Sequence, residues 1–277
     1  MNKVTLAVVL GFLATPALAD HWVELKAGYA FGDESGQDYW AEYKAEYSIP
    51  SFSAQVYIPS VSVDDGPYRE AGFLAKSSTL YFNNQVESVD YTFDVGSSAE
   101  YRFHTRETTL GGYGVIGDWL VGGEAAHYTL GGESYAETYL LKGGYYLGEA
   151  ALLTVGLGDA QVDCEGCDGT IYQVNYHQVF AASRSVSYGL DVNWTKYPGT
   201  HDYGVEGTVY ITPQSGLSLA ANKQTAYEFS ATDLSIEYHH FIGERVGLSV
   251  SYTDAESYSI EDEGSVGIVA LGVQVNI

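Results

Sequence analysis

Basic residues, cysteine, methionine and long apolar runs are all scarce in this chain, and each shortage removes a class of protein. Only 12 Lys and Arg stand against 36 Asp and Glu in 277 residues, a formal charge of −24. So acidic a balance argues against nucleic acid and anionic lipid as partners. Past residue 19 no apolar run approaches the roughly 18 residues that a spanning helix needs, which excludes helical membrane crossings. There are two Cys and one Met. The Cys lie together in Cys164-Glu165-Gly166-Cys167, with no second Cys pair to complete a zinc site and no strand-to-helix context for a thioredoxin-like one. A local disulfide between Cys164 and Cys167, stapling an exposed acidic loop, is the expected use.

What the chain has instead is Gly and Tyr, 32 and 25 of them, arranged with period two. The clearest stretch is 186–211. Val186, Tyr188, Leu190, Val192 and Trp194 alternate with Ser187, Gly189, Asp191, Asn193 and Thr195. After a short connection holding Pro198 and Gly199, Tyr203, Val205, Gly207, Val209 and Ile211 alternate with Gly204, Glu206, Thr208 and Tyr210. Two such runs make an antiparallel hairpin. Because the non-apolar parity is small and polar, it suits a wet interior, with the apolar parity turned to lipid. Tyr fits strands and membrane boundaries, and Gly marks turns and thin places in a curved wall.

The same rhythm runs through most of the chain. Residues 21–31 make a first strand, 38–58 a long second one bulged at Pro50, and 77–95 and 98–116 a long hairpin. The meander then continues through 119–130, 135–147, 149–161 and 170–180, the 186–211 hairpin, 217–225, 229–239, a strand carrying Val246 to Tyr252, and a last strand ending at Ile277. Fourteen runs are expected, with twelve or sixteen as alternatives. Their even number brings both termini to one side of a transmembrane antiparallel up-and-down β-barrel. Closure is required because lipid cannot hydrogen-bond an open sheet edge.

Residues 1–19 have the form of a cleaved export signal: Lys3, an apolar stretch over 4–13, Pro16, and Ala17-Leu18-Ala19 before the cut. The mature chain, 20–277, is then a single barrel domain with 11 basic against 36 acidic residues, or −25. Export also agrees with an oxidised Cys pair.

Between the second and third runs lies the longest patternless connection, 59–72. Here Asp65-Gly66-Pro67-Tyr68-Arg69-Glu70-Ala71-Gly72-Phe73-Leu74 resembles a segment of a family of general porins from Gram-negative outer membranes. In that family it joins the second and third strands on the periplasmic side. The close match covers about ten residues, and the strand-and-turn rhythm extends it more loosely over the rest. The amphipathic last strand, with Val269, Leu271, Val273, Val275 and Ile277 on one parity, resembles the signal by which outer-membrane barrels engage their assembly machinery, although those signals usually end in Phe. The resemblance implies a cell outer-membrane location and passive diffusion of small hydrophilic solutes or ions. The implied surroundings are outer-membrane lipid and lipopolysaccharide.

The candidate pore-lining residues are charged side chains on strands. Arg102, His104 and Arg106 share one parity, opposite Tyr101 and Phe103, and are expected to project into the lumen as a basic ladder. Facing them would stand the charged parity of the first two strands, Glu24, Glu42, Lys44 and Glu46. Such a ladder either biases which solutes pass or pairs with the acids to stiffen the wall.

No cofactor is implied. His239-His240 point to opposite faces of a strand and cannot share a metal without distortion. The acidic runs lack EF-hand spacing, and no Gly-x-Ser-x-Gly elbow supports a barrel hydrolase. Two alternatives to a pore remain: a plugged structural or adhesive barrel with acidic loops, and a lipid-modifying barrel enzyme.

Overall fold

A computed structural model describes residues 20–38, 41–62, 66–94, 98–164, 167–181, 186–226, 229–259 and 263–277. The expected cleavage after Ala19 lies outside them. The first four strands are β1 (Asp20–Asp38), β2 (Ala41–Ser62), β3 (Ser78–Asp94) and β4 (Ser98–Ile116). Next come β5 (Trp119–Leu130), β6 (Glu133–Tyr146), β7 (Ala151–Val162), β8 (Gly169–Ala181) and β9 (Ser187–Tyr197). The last five are β10 (Thr200–Thr212), β11 (Ser215–Ala226), β12 (Phe229–Ile242), β13 (Val246–Ser259) and β14 (Glu263–Asn276). Each pairs antiparallel with its chain neighbours, and β1 closes on β14 with Glu24 opposite Asn276 and Phe31 opposite Val269. Every strand therefore has two partners, and no ladder is left to lipid.

Alternation sorts the side chains as a transmembrane barrel needs. On β10, Tyr203, Val205, Val209 and Ile211 are exposed on the outer face, while Gly204, Thr208 and Tyr210 are buried on the inner one. Around the wall, Leu141 is 76% exposed and Val121 68%, part of a band of outward Leu, Val, Ile and Tyr. An apolar belt of this extent is the mark of a lipid-facing surface. Several tyrosines turn inward rather than to the boundary: the hydroxyls of Tyr57, Tyr81 and Tyr210 donate to Glu24, Glu124 and Glu70.

Asp20, the first described residue, and Ile277 share one end of the barrel, here the terminal end, with the turns at 117–118, 213–214 and 243–245. The opposite, far end carries the 131–132 and 198–199 turns and the β7–β8 connection, where Cys164 and Cys167 are joined with their Cα atoms 5.5 Å apart. β1 to β4 have 17 to 22 residues against 11 to 14 in the others, so this quarter of the wall is the longest.

The strand carrying Pro50 is continuous, but its bulge lies elsewhere. Tyr29 pairs with Pro50 between the regular pairs Ala30–Ile49 and Gly28–Ser51. The missing N–H of Pro50 is accommodated toward β3, where pairing lapses between Ser48–Ser88 and Ser51–Gln85 without a change of register. The irregularity falls nearer the terminal end, between the pairs His21–Val61 and Val23–Val56.

Candidate functional site

The β2–β3 connection does not stay outside the barrel. Residues 66–76 enter the lumen as one compact piece: a 3-10 turn (Tyr68–Glu70) and a single helical turn, α1 (Ala71–Leu74). Pro67, at φ −62°, sets the direction of entry, and Lys76, at φ 49°, swings the chain back into β3. Between them the small Ala71 and Gly72 let the backbone settle against Tyr57 of β2. A Cβ at Gly72 would lie 2.4 Å from Cε1 of that ring, so no other residue fits without moving the ring.

From this anchor the segment reaches across to the opposite wall. The Tyr68 N–H donates to the Pro213 carbonyl at 2.9 Å, and its ring meets Phe241 edge-on at 5.7 Å. Phe73 wedges between Tyr146, stacked at 5.7 Å, and His177, edge-on at 4.2 Å. Lys76 pairs with Asp118 at 2.7 Å.

Two adjacent charges occupy the middle. Arg69 donates through Nη1 to Glu237 Oε1 at 2.6 Å, and its Nη2 lies 3.8 Å from Glu206. Loss of water opposes its charge, but Glu237 and Glu206 outweigh that and hold the guanidinium above its ordinary value. A third of its side-chain surface stays open to the lumen. Glu70 is buried. Its Oε2 meets Nε2 of His177 at 2.9 Å, its Oε1 accepts from the Tyr210 hydroxyl, and the other ring nitrogen of His177 meets Asp191. Burial alone would raise its pKa, yet His177, Tyr210 and Arg69 together bring the carboxyl below the ordinary Glu value.

Two chambers are seen in the lumen among the described residues. One, of about 430 Å³, borders Arg69 and the walls of β1–β3 and β12–β14. The other, of about 330 Å³, lies against β3–β6, β8 and β9, where Lys142 pairs with Glu124 at 2.8 Å. Among the described residues no three His, Cys, Asp or Glu side chains gather as a metal site.

The expected pore-lining residues fall on different sides of the wall. Glu24 is inside and buried, bonded to Lys26 at 2.6 Å and to Gln274 at 2.8 Å. Lys44 and Glu46 are not inside. The β1–β2 register is unbroken from Ala41 to Val56, so both share the outer face with Phe52 and Val56. The side chain of Glu42 lies outside the described residues.

Arg102, His104 and Arg106 are likewise on the outer face, which corrects the ladder. The β3–β4 register runs without a slip from Tyr113 to Ser98, placing all three on the parity of Leu110, which is 64% exposed to the outside. Arg102 is bound by neighbouring Asp90 through two hydrogen bonds, one of them at 2.7 Å, and His104 by Ser88 at 2.8 Å. Tyr101 and Phe103 take the face continuous with the lumen, where they meet Phe93 and Tyr91 edge-on. The reason is physical. Above the lipid band both faces of the sheet meet water, so polar character no longer marks the inside. One clue was available: Phe103 and Leu110 lie on opposite parities of one unbroken strand. The double variant Arg102→Ala with Arg106→Ala is therefore expected to leave the reversal potential in bilayer recordings unchanged.

No family profile matches this chain, and no curated protein does. Solved structures do. The Acinetobacter baumannii outer membrane protein Omp33 superposes with a TM-score of 0.59 at 14% identity, over 94% of this chain and 99% of that one. An outer-membrane channel from Pseudomonas putida F1 superposes at 0.51 with 10% identity, over 94% and 97%. At such identities the likeness is one of fold.

Proposed function

We propose that the protein is a porin of the Gram-negative outer membrane, a passive conduit for small hydrophilic solutes, with its terminal end toward the periplasm. The observation that carries this is the inversion of the wall, apolar outside and charged within, around chambers of about 430 and 330 Å³. The likeness in fold to an outer-membrane channel supports it. Diffusion alone is invoked, and no catalytic step forms part of it. We also propose that β14 is the strand handed to the assembly machinery.

The inward segment favours one other reading, a barrel stoppered for a structural role. Reconstitution separates the two. Purified protein that migrates as a folded barrel is expected to give discrete conductance steps in planar bilayers, whereas folded protein that carries no current would support the stopper.

A further inference from the structure

We propose that the chamber beside Arg69 is a transit site for small zwitterionic solutes, those that carry a carboxylate and an ammonium group, such as free amino acids. This rests on the pore reading above and names its substrate class.

Two cations line the chamber. Arg69 arrives on the inward segment, and Lys26 projects from β1 with about half of its side chain exposed. Neither is fully spent on its partner. Lys26 has three N–H donors and one close carboxylate, Glu24, which is itself buried and also holds Gln274. Of the five donors of Arg69, those on Nη1 serve Glu237 at 2.6 Å, with longer contacts to Nδ1 of His239 at 3.4 Å and Oγ of Ser218 at 3.5 Å, whereas Nη2 has a carboxylate only at 3.8 Å, Glu206. A solute carboxylate entering the chamber meets two partly free cations, and a guanidinium can take it through two parallel hydrogen bonds.

The rest of the chamber suits the remainder of such a molecule. Glu237, a third exposed and bound to Arg69, is placed to receive an ammonium group beside the carboxylate. Ser51, Gln85 and Gln274 offer hydroxyl and amide groups to a polar body. A volume of about 430 Å³ lies within the usual range of small-ligand pockets, roughly 300–1,000 Å³.

Net charge then separates zwitterions from plain anions. Elsewhere the lumen is acidic: Glu70, Glu107, Glu124 and Glu206 face it from the segment, β4, β5 and β10, against Lys142 of β6. A solute with net negative charge is repelled along this path. A zwitterion brings a carboxylate to the two cations without that penalty.

Proteoliposome swelling with serine and with erythritol, two small neutral solutes of similar size, tests this through the ratio of their entry rates. Wild-type protein is expected to admit serine several-fold faster. In Arg69→Gln and in Lys26→Gln the ratio should fall toward one, whatever happens to the absolute rates, while Arg69→Lys keeps part of the preference. Because Lys26 sits on the wall, its variant reads the site even if Arg69→Gln displaces the segment. Arg102→Gln, on the outer face, should behave as wild type. A wild-type ratio near one, or a ratio that neither variant moves, overturns the zwitterion site while erythritol entry keeps the pore. Swelling with neither solute overturns both.

Discussion

Replacing residues 66–76 with a short Gly/Ser linker is expected to raise single-channel conductance several-fold and to widen the range of solutes admitted. The wall hydrogen bonds belong to strands, with β2 and β3 paired up to Ile58–Ser78, so the cylinder stays closed when the segment is exchanged. What is lost is the material laid across the lumen from Tyr57 on β2 to Phe241 on β12. Folding of the variant is checked by its shift in gel mobility on heating. A folded variant with wild-type conductance would mean that the segment does not limit flow.

Glu70→Ala is expected to produce the second large effect, frequent switching between the native conductance and a higher level. Removal of this carboxylate leaves Nε2 of His177 and the Tyr210 hydroxyl without their acceptor, and also takes a negative charge from beside Arg69. Deleting one partner of a buried charged pair costs about 3–5 kcal/mol, enough to populate a released segment when the docked state is held by a few such contacts. Glu70→Gln, which still accepts a hydrogen bond, should fall between. Unchanged, step-free recordings from Glu70→Ala would show that the carboxylate does not hold the segment.

The same carboxylate fixes the sign of an acid response. Its docked pKa lies below the ordinary Glu value, so the released segment binds the proton more readily. Docking is at full strength above the ordinary value and is lost as pH falls through the lower, docked one. Of the groups that face it, His177, Tyr210 and Arg69, the last stays cationic throughout. Conductance should therefore be steady near neutrality and rise in acid, with that acid response absent in Glu70→Ala.

Much of the wall was legible because alternation is a local signal. The runs 98–116 and 119–130 coincide with β4 and β5, and the count of fourteen follows from hairpins whose partners are neighbours in the chain. Periodicity, however, gives only relative parity. It could not tell that Arg102 and Leu110 share an outer face once the strand leaves the lipid, nor that Tyr81, in a poorly patterned stretch, turns inward.

The site itself left almost no local trace. Arg69 and Glu70 stand in a patternless stretch, and the residues that give them meaning lie 107 positions away at His177, 140 at Tyr210 and 168 at Glu237. The resemblance of 65–74 to a porin connection placed it correctly between the second and third strands, at the end that holds Asp20 and Ile277. It gave no hint of the turn into the lumen.

Those long separations bear on how the molecule is assembled. Arg69 and Glu70 find their partners on β8, β10 and β12, so a wall lacking these strands has nowhere to seat them. Full seating of the segment thus requires the sheet to have curled far enough to bring those strands round to it, and contacts of such high sequence separation are slow to form. A partly assembled wall that lacks β8 to β12 would be hollow where the finished protein is filled.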